Sequence, residues 1–305
     1  MSGFIEALFN PDLPFLRNAL FAGFLSSVLF GVLGSIVTVK RIAGLAGAIS
    51  HAVLGGIGMA LYLSTTGLIP GLPPIVGAIV FALIAAIIIG LVSLKAKQRE
   101  DTVINAIWAI GMSIGVLFLA KTPGYTDPSS YLFGNILLIS GKDLALLAVL
   151  DLVVLLLVWR FYPQLEASAF DDEFAKVRGV RTDVVFLILL GVTAVAVVLL
   201  QTFVGIVMVI AMLTLPAGTA GYFARNLAGM MVFAWLFSTL FSVGGLALGW
   251  TFDLPAGAMV VVLAGGVFLA FAAFKVLSIG RRRREPCPRE PSMHAGSTAE
   301  SPEQP

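Results

Sequence analysis

Nine stretches of about twenty mostly apolar residues run along the 305-residue chain. They lie near 15–39, 44–63, 74–94, 103–121, 143–161, 183–201, 203–222, 228–250 and 254–278. Each is of a length that crosses the hydrocarbon core of a bilayer. None alternates with period two: residues 81–89 read Phe-Ala-Leu-Ile-Ala-Ala-Ile-Ile-Ile without a polar face. Only helices and closed barrels satisfy their backbone groups in lipid, and the absent alternation excludes the barrel. The pattern predicts an all-α, polytopic membrane helical bundle with about nine spans.

Composition agrees. Hydrophobic residues make up 59% of the chain and charged residues 12%, about half the charge share of an ordinary soluble domain. A disordered protein, a nucleic-acid binder and a soluble enzyme are thereby excluded. The net charge of +2 says little, but its distribution says more. If the C-terminus is cytoplasmic and the spans alternate, sixteen of the nineteen Lys and Arg residues fall inside. Only Arg17, Lys121 and Lys142 fall outside. Basic residues concentrate on the cytoplasmic side, so the N-terminus is expected outside and the C-terminus inside.

Three regions follow. Residues 1–14 form an outer interfacial segment, 15–278 the transmembrane domain, and 279–305 a basic and polar cytoplasmic tail expected to be disordered. The first apolar run lacks a basic leader and reads as a retained helix rather than a signal peptide. The one cysteine, Cys287, excludes a disulfide framework within the chain. It shares the tail with His294, one of only two histidines.

The other histidine, His51, lies inside the second apolar run. Polar residues at that depth are costly and mark function or tight packing. Gly47, His51 and Gly55 are spaced by four and share one helical face, with Ser50 beside them. Two readings stand: a ligand or gate on a transport path, or a histidine hydrogen-bonded between packed helices. Asp101 and Asn105 share a face of the fourth span; Asp101 or Thr102 suits a helix cap, while Asn105 stays open. Asp151, amid leucines and valines, must face the bundle or be protonated; a proton relay and a buried packing partner both fit. Thr214 and Pro216 lie in the seventh span. Pro216 frees a backbone carbonyl, so a break there would line a permeation path.

The longest cytoplasmic loop, 163–182, carries Asp171, Asp172 and Glu173 as a helix start, Phe174 and Val177 as an apolar edge, and Gly179 as a stop. Such a short amphipathic helix suits docking to a soluble partner, or is a surface loop with none. No Gly-x-x-x-x-Gly-Lys-Ser/Thr occurs, so the chain has no P-loop. It is read as a transport subunit, not an enzyme.

Several motifs resemble one family. They are Phe30-Gly-Val-Leu-Gly-Ser-Ile-Val-Thr-Val-Lys-Arg41, Ala48-Ile-Ser-His-Ala-Val-Leu54, Glu100-Asp-Thr102 and Leu132-Phe-Gly-Asn-Ile-Leu137. Phe170-Asp-Asp-Glu-Phe-Ala-Lys-Val-Arg-Gly-Val180 and Val204-Gly-Ile through Leu215-Pro-Ala-Gly-Thr-Ala220 follow in order. Together they resemble the permease subunits of bacterial zinc/manganese/iron-type ABC importers. The resemblance implies a second permease copy (homodimer or heterodimer), a separate ABC ATPase that binds ATP, and an extracytoplasmic metal-binding protein. It places the chain in the bacterial inner membrane and implies a transported divalent metal ion, with no other cofactor. It makes Asp171, Asp172, Glu173, Phe174, Ala175 and Gly179 the coupling helix.

His51 falls on the histidine of the family's Asp-x-x-x-His pair. Here the chain departs: Gly47 stands where the Asp belongs, and Gly55 where a proline is usual. One oxygen ligand is missing, which leaves His51 as the leading metal candidate, with Ser50, Asn105, Asp127, Asn135 or the second permease copy as sources of compensating groups. Two rival readings remain: a permease for iron chelates or cobalamin, and a stand-alone ion-gradient carrier using Asp151.

Overall fold

A computed structural model of the chain describes residues 2–9, 13–95, 100–123, 134 and 139–282. Asp127, Asn135, Cys287 and His294 lie outside them. The helices are α1 (Ser2–Phe9), α2 (Pro14–Val39), α3 (Ala43–Thr65), α4 (Pro74–Lys95), α5 (Glu100–Lys121) and α6 (Gly141–Phe170). They continue as α7 (Asp172–Val177), α8 (Thr182–Val204), α9 (Ile206–Ala220), α10 (Leu227–Phe252) and α11 (Ala256–Arg282). No strand occurs among the described residues. Residues 1–268 form one compact unit and 269–305 a second; all packing below lies in the first.

Eight helices are long and apolar enough to cross a membrane. The ninth expected span, α9, has 15 residues. At about 1.5 Å per residue it reaches roughly 22 Å, short of the hydrocarbon thickness. Its start explains the shortening. Gly205 has φ +86° and ψ 158°, a conformation essentially closed to other residues, so α8 must end at Val204. The break expected at Pro216 is absent. The helix runs through Pro216, whose ring holds a helical φ while removing one donor. The interruption lies instead at Gly205.

α6 also differs from expectation. The sequence places a loop over 163–182, but the helix continues through Pro163 to Phe170. Tyr162 Oη donates to Glu166 Oε1, one turn on, at 3.1 Å. At its other end a capping box fixes the start: Ser140 N–H donates to Asp143 Oδ2 (2.9 Å), and Asp143 N–H to Ser140 Oγ (3.4 Å). Asp101 lies within the first turn of α5 rather than at its cap.

α2 and α3 form the centre of the unit and are mostly buried, whereas α5 and α6 are mostly exposed. Small residues allow this, as expected where lipid supplies no hydrophobic drive between helices. A Cβ on Gly34 of α2 would stand 2.5 Å from the Leu213 carbonyl oxygen of α9. A Cβ on Gly58 of α3 would stand 2.6 Å from the Gly115 carbonyl oxygen of α5. Asp151 faces the bundle on the α6 stripe Leu147, Asp151, Val154 and Val158. Both of its oxygens are buried without a hydrogen-bond partner among the described residues.

Candidate metal path and coupling surface

His51 sits two turns into α3, on the most buried of the long helices, and is 8% exposed. Its Nδ1 lies 2.8 Å from the Gly47 carbonyl oxygen. A carbonyl can only accept, so Nδ1 carries the proton and donates. The neutral ring then presents the Nε2 lone pair, the form a metal binds. The Trp108 ring of α5 backs the imidazole, with centroids 4.5 Å apart and planes at 33°.

Trp108 opens onto a hollow of about 630 Å³ along α5, shared with Asn105, Met112 and Ser113. Trp108, a residue the sequence reading did not single out, thus touches the His51 ring and shares a hollow with Asn105. Its signal was available: an indole one turn from Asn105 on a helix that carries few other polar groups. Ser50 is fully buried, and its hydroxyl donates to the Ala46 carbonyl at 2.9 Å. Among the described residues no three His, Cys, Asp or Glu side chains form a metal-holding group. Among the described residues His51 is the one imidazole in the spans.

The two glycines flanking His51 differ. A Cβ on Gly55 would stand 2.8 Å from the Gly111 carbonyl oxygen and 3.3 Å from the Phe81 ring. A Cβ on Gly47 would meet nothing within 4 Å. Gly55 is required by the closeness of α5; Gly47 is not required by packing, and open space stands there beside the imidazole. Thr214 and Pro216 lie apart from this hollow on α9. Thr214 Oγ1 donates to the Ile210 and Ala211 carbonyls (3.1 and 3.2 Å), and Pro216 is buried.

The second candidate region is α7. Asp171 caps it, its Oδ1 accepting from the N–H groups of Glu173 (3.0 Å) and Phe174 (2.9 Å). Asp172 and Glu173 occupy the first turn, where the helix dipole favours acids. The stop is a Schellman motif: Val180 N–H donates to Ala175 O (3.0 Å) and Gly179 N–H to Lys176 O (2.9 Å), with Gly179 at φ +84°. Ala175 is fully buried, whereas Phe174 is 53% and Val177 88% exposed. The helix is therefore seated by one face and presents an apolar edge outward.

Lys40, also missed in the sequence reading, ties α7 to the spans. Its Nζ lies 3.3 Å from Asp172 Oδ1, its side chain 6% exposed, and 5.9 Å from the Phe186 ring centroid. Lys40 stands at the α2–α3 turn, beside Arg41 at φ +58° and just before the helix that bears His51.

The profile of the ABC 3 transport family matches residues 12–275. The chain belongs to that family. The permease is 37% identical over 262 residues to an uncharacterized membrane protein of Synechocystis sp., covering 86% of this chain and 91% of the relative. It is 32% identical over 272 residues to a manganese transport system membrane protein of Listeria monocytogenes, covering 89% and 93%. The solved structure of PsaBC from Streptococcus pneumoniae in complex with Fab superposes with a TM-score of 0.76 at 31% identity, covering 88% of this permease and 94% of that chain.

Proposed function

We propose that this permease is the membrane-spanning subunit of an ATP-driven importer of divalent transition metal ions, with manganese as the first substrate and zinc and iron as competitors. The observation that carries the reading is the buried imidazole of His51, its Nδ1 held by the Gly47 carbonyl and its ring against Trp108, which lines a hollow with Asn105 and Ser113. Imidazole with oxygen donors suits the divalent first-row metals, and manganese accepts oxygen-rich sets. The manganese transport relative in Listeria supports that order.

A second copy of the permease would bring the other imidazole, which one chain lacks. With no carboxylate at Gly47, the path holds metal weakly and favours passage over storage. The N-terminus lies outside, toward an extracytoplasmic metal-binding protein. α7 lies inside and seats in a separate ABC ATPase, which binds ATP. Phe174 and Val177 supply the apolar contact, and the Lys40–Asp172 pair carries movement of α7 to the foot of α3. Asp171, Glu173, Ala175 and Gly179 hold the shape of α7.

The test is metal uptake by cells that lack their own importers and express the permease with its ATPase and binding protein. Manganese, zinc and iron are supplied separately at low concentration. Saturable, ATP-dependent uptake of manganese is expected. Uptake only of an iron chelate or cobalamin would overturn the metal-ion reading, and uptake without an ATPase would establish a gradient carrier.

A further inference from the structure

Beside α7, between α6 and α8, lies an apolar cavity of about 380 Å³. It runs along α8 from Arg181 to Val192. Eleven residues at about 1.5 Å each make roughly 16 Å, close to half the thickness of a bilayer's hydrocarbon core. The slot is thus as deep as one leaflet. Its flank is open: Val184 and Ile188, which line it, are 48% and 44% exposed.

The rim has opposite chemistry. Arg178 and Arg181 line its mouth, and neither forms an ion pair with another described residue. Arg178 Cζ lies over the Phe174 ring, 5.0 Å from its centroid. Gln164, also in the lining, has its amide oxygen buried without a hydrogen-bond partner. Two cations, an unused acceptor and an apolar slot of leaflet depth fit one class of molecule.

We propose that this slot binds an anionic phospholipid with a hydroxylated headgroup from the leaflet facing α7. One acyl chain lies along Ile188 and Val192. The phosphate sits against Arg178 and Arg181, and a headgroup hydroxyl donates to Gln164 Oε1. Basic pockets between spans hold anionic headgroups in this way. Because Arg178 ends α7 and Gly179 terminates its hydrogen bonding, an occupied slot braces α7 against α6 and α8. The lipid then sets how firmly α7 is held, whichever metal is carried.

The test uses the full permease–ATPase complex in detergent, with bound lipid counted by native mass spectrometry after addition of phosphatidylglycerol or phosphatidylcholine. Phosphatidylglycerol retention is expected to exceed phosphatidylcholine retention. It should fall about fivefold with Arg178→Gln or Arg181→Gln and about thirtyfold with both, from the usual strength of a basic residue near an anionic surface. Ile188→Trp, which fills the slot from its exposed flank, should lower retention with both arginines intact. Gln164→Leu should reduce the preference for phosphatidylglycerol over phosphatidic acid.

Equal retention of both lipids, or no change in the double variant, would overturn the proposal. So would crosslinking of Ile188→Cys to the ATPase or a second permease, because the slot would then be a protein interface. Glycerol phosphate that displaced the lipid at low concentration would show a headgroup site without the acyl slot, and would also overturn it. The outcome does not depend on metal transport, so failure here leaves the transport reading standing.

Discussion

α3 carries no Asp, Glu, Lys or Arg, whereas three of the six residues of α7 are charged, and the chain builds the two by opposite means. α3 is enclosed. Gly55, Gly56 and Gly58 meet backbone of α4 and α5, and a Cβ on Gly56 would collide with the Gly77 carbonyl. α7 is exposed on most of its surface and rests on capping at both ends, one buried alanine and two ion pairs, Lys40–Asp172 and Lys176–Asp183. The difference teaches where each can be altered. In α3 the limiting quantity is volume; in α7 it is the chemistry of the outward face.

The largest effect should come from adding volume where α3 is clamped. Gly55→Leu drives a side chain into the Gly111 carbonyl and Phe81. Overpacking costs about 1–3 kcal/mol and sometimes more, so loss of folded protein in size-exclusion chromatography is expected. A folded, active Gly55→Leu permease would erase the contrast.

Next is Phe174→Asp on the open edge of α7. The folded permease should be recovered in normal yield, but the ATPase should no longer co-purify. Retention of the ATPase would remove α7 from the interface.

Gly47→Asp sharpens the account of α3 itself. The added carboxylate enters open space and recreates an Asp-x-x-x-His pair with His51. Manganese should then raise the melting temperature more than in the unaltered chain. A tenfold gain in affinity corresponds to about 1.4 kcal/mol of added stabilisation at saturation, and turnover should slow. No metal-dependent change would mean that the space beside His51 is not on the path.

The smallest effect belongs to Asp172→Asn. Asp172 is 57% exposed and Lys40 is buried, so solvent screening keeps the loss of stability within about 1 kcal/mol. Uptake per ATP hydrolysed should fall while the ATPase stays bound. The same change at Asp183, whose pair with Lys176 is exposed on both sides, should leave the ratio unaltered.

Much of this was legible in the chain because apolar length and local capping are sequential properties. Eight spans and the shorter apolar helix α9 stand within a few residues of the nine expected places, apart from the end of α6. The α7 start at Asp171 and stop at Gly179 follow from side chains adjacent to the backbone they satisfy. Long-range facts were not legible. Nothing in spacing distinguishes Gly47 from Gly55, because the difference lies in how closely α5 approaches each. Pro216 carries a stronger breaking signal than Gly205, yet only Gly205 adopts a backbone angle that ends a helix. Pro163 likewise lies inside α6 without stopping it. Trp108 and Lys40 owe their roles to partners 57 and 132 positions away.

The central claim is that His51 lies on the metal path with Nε2 toward the ion. It is tested most directly by the initial rate of ATP-driven manganese uptake into vesicles holding the permease, its ATPase and its binding protein, with His51→Ala against the unaltered chain. The account predicts at least a tenfold lower rate at subsaturating manganese, with the complex intact and the fold unchanged. Equal rates and equal pH dependence in the two proteins would contradict it, and His51 would then be a packing residue.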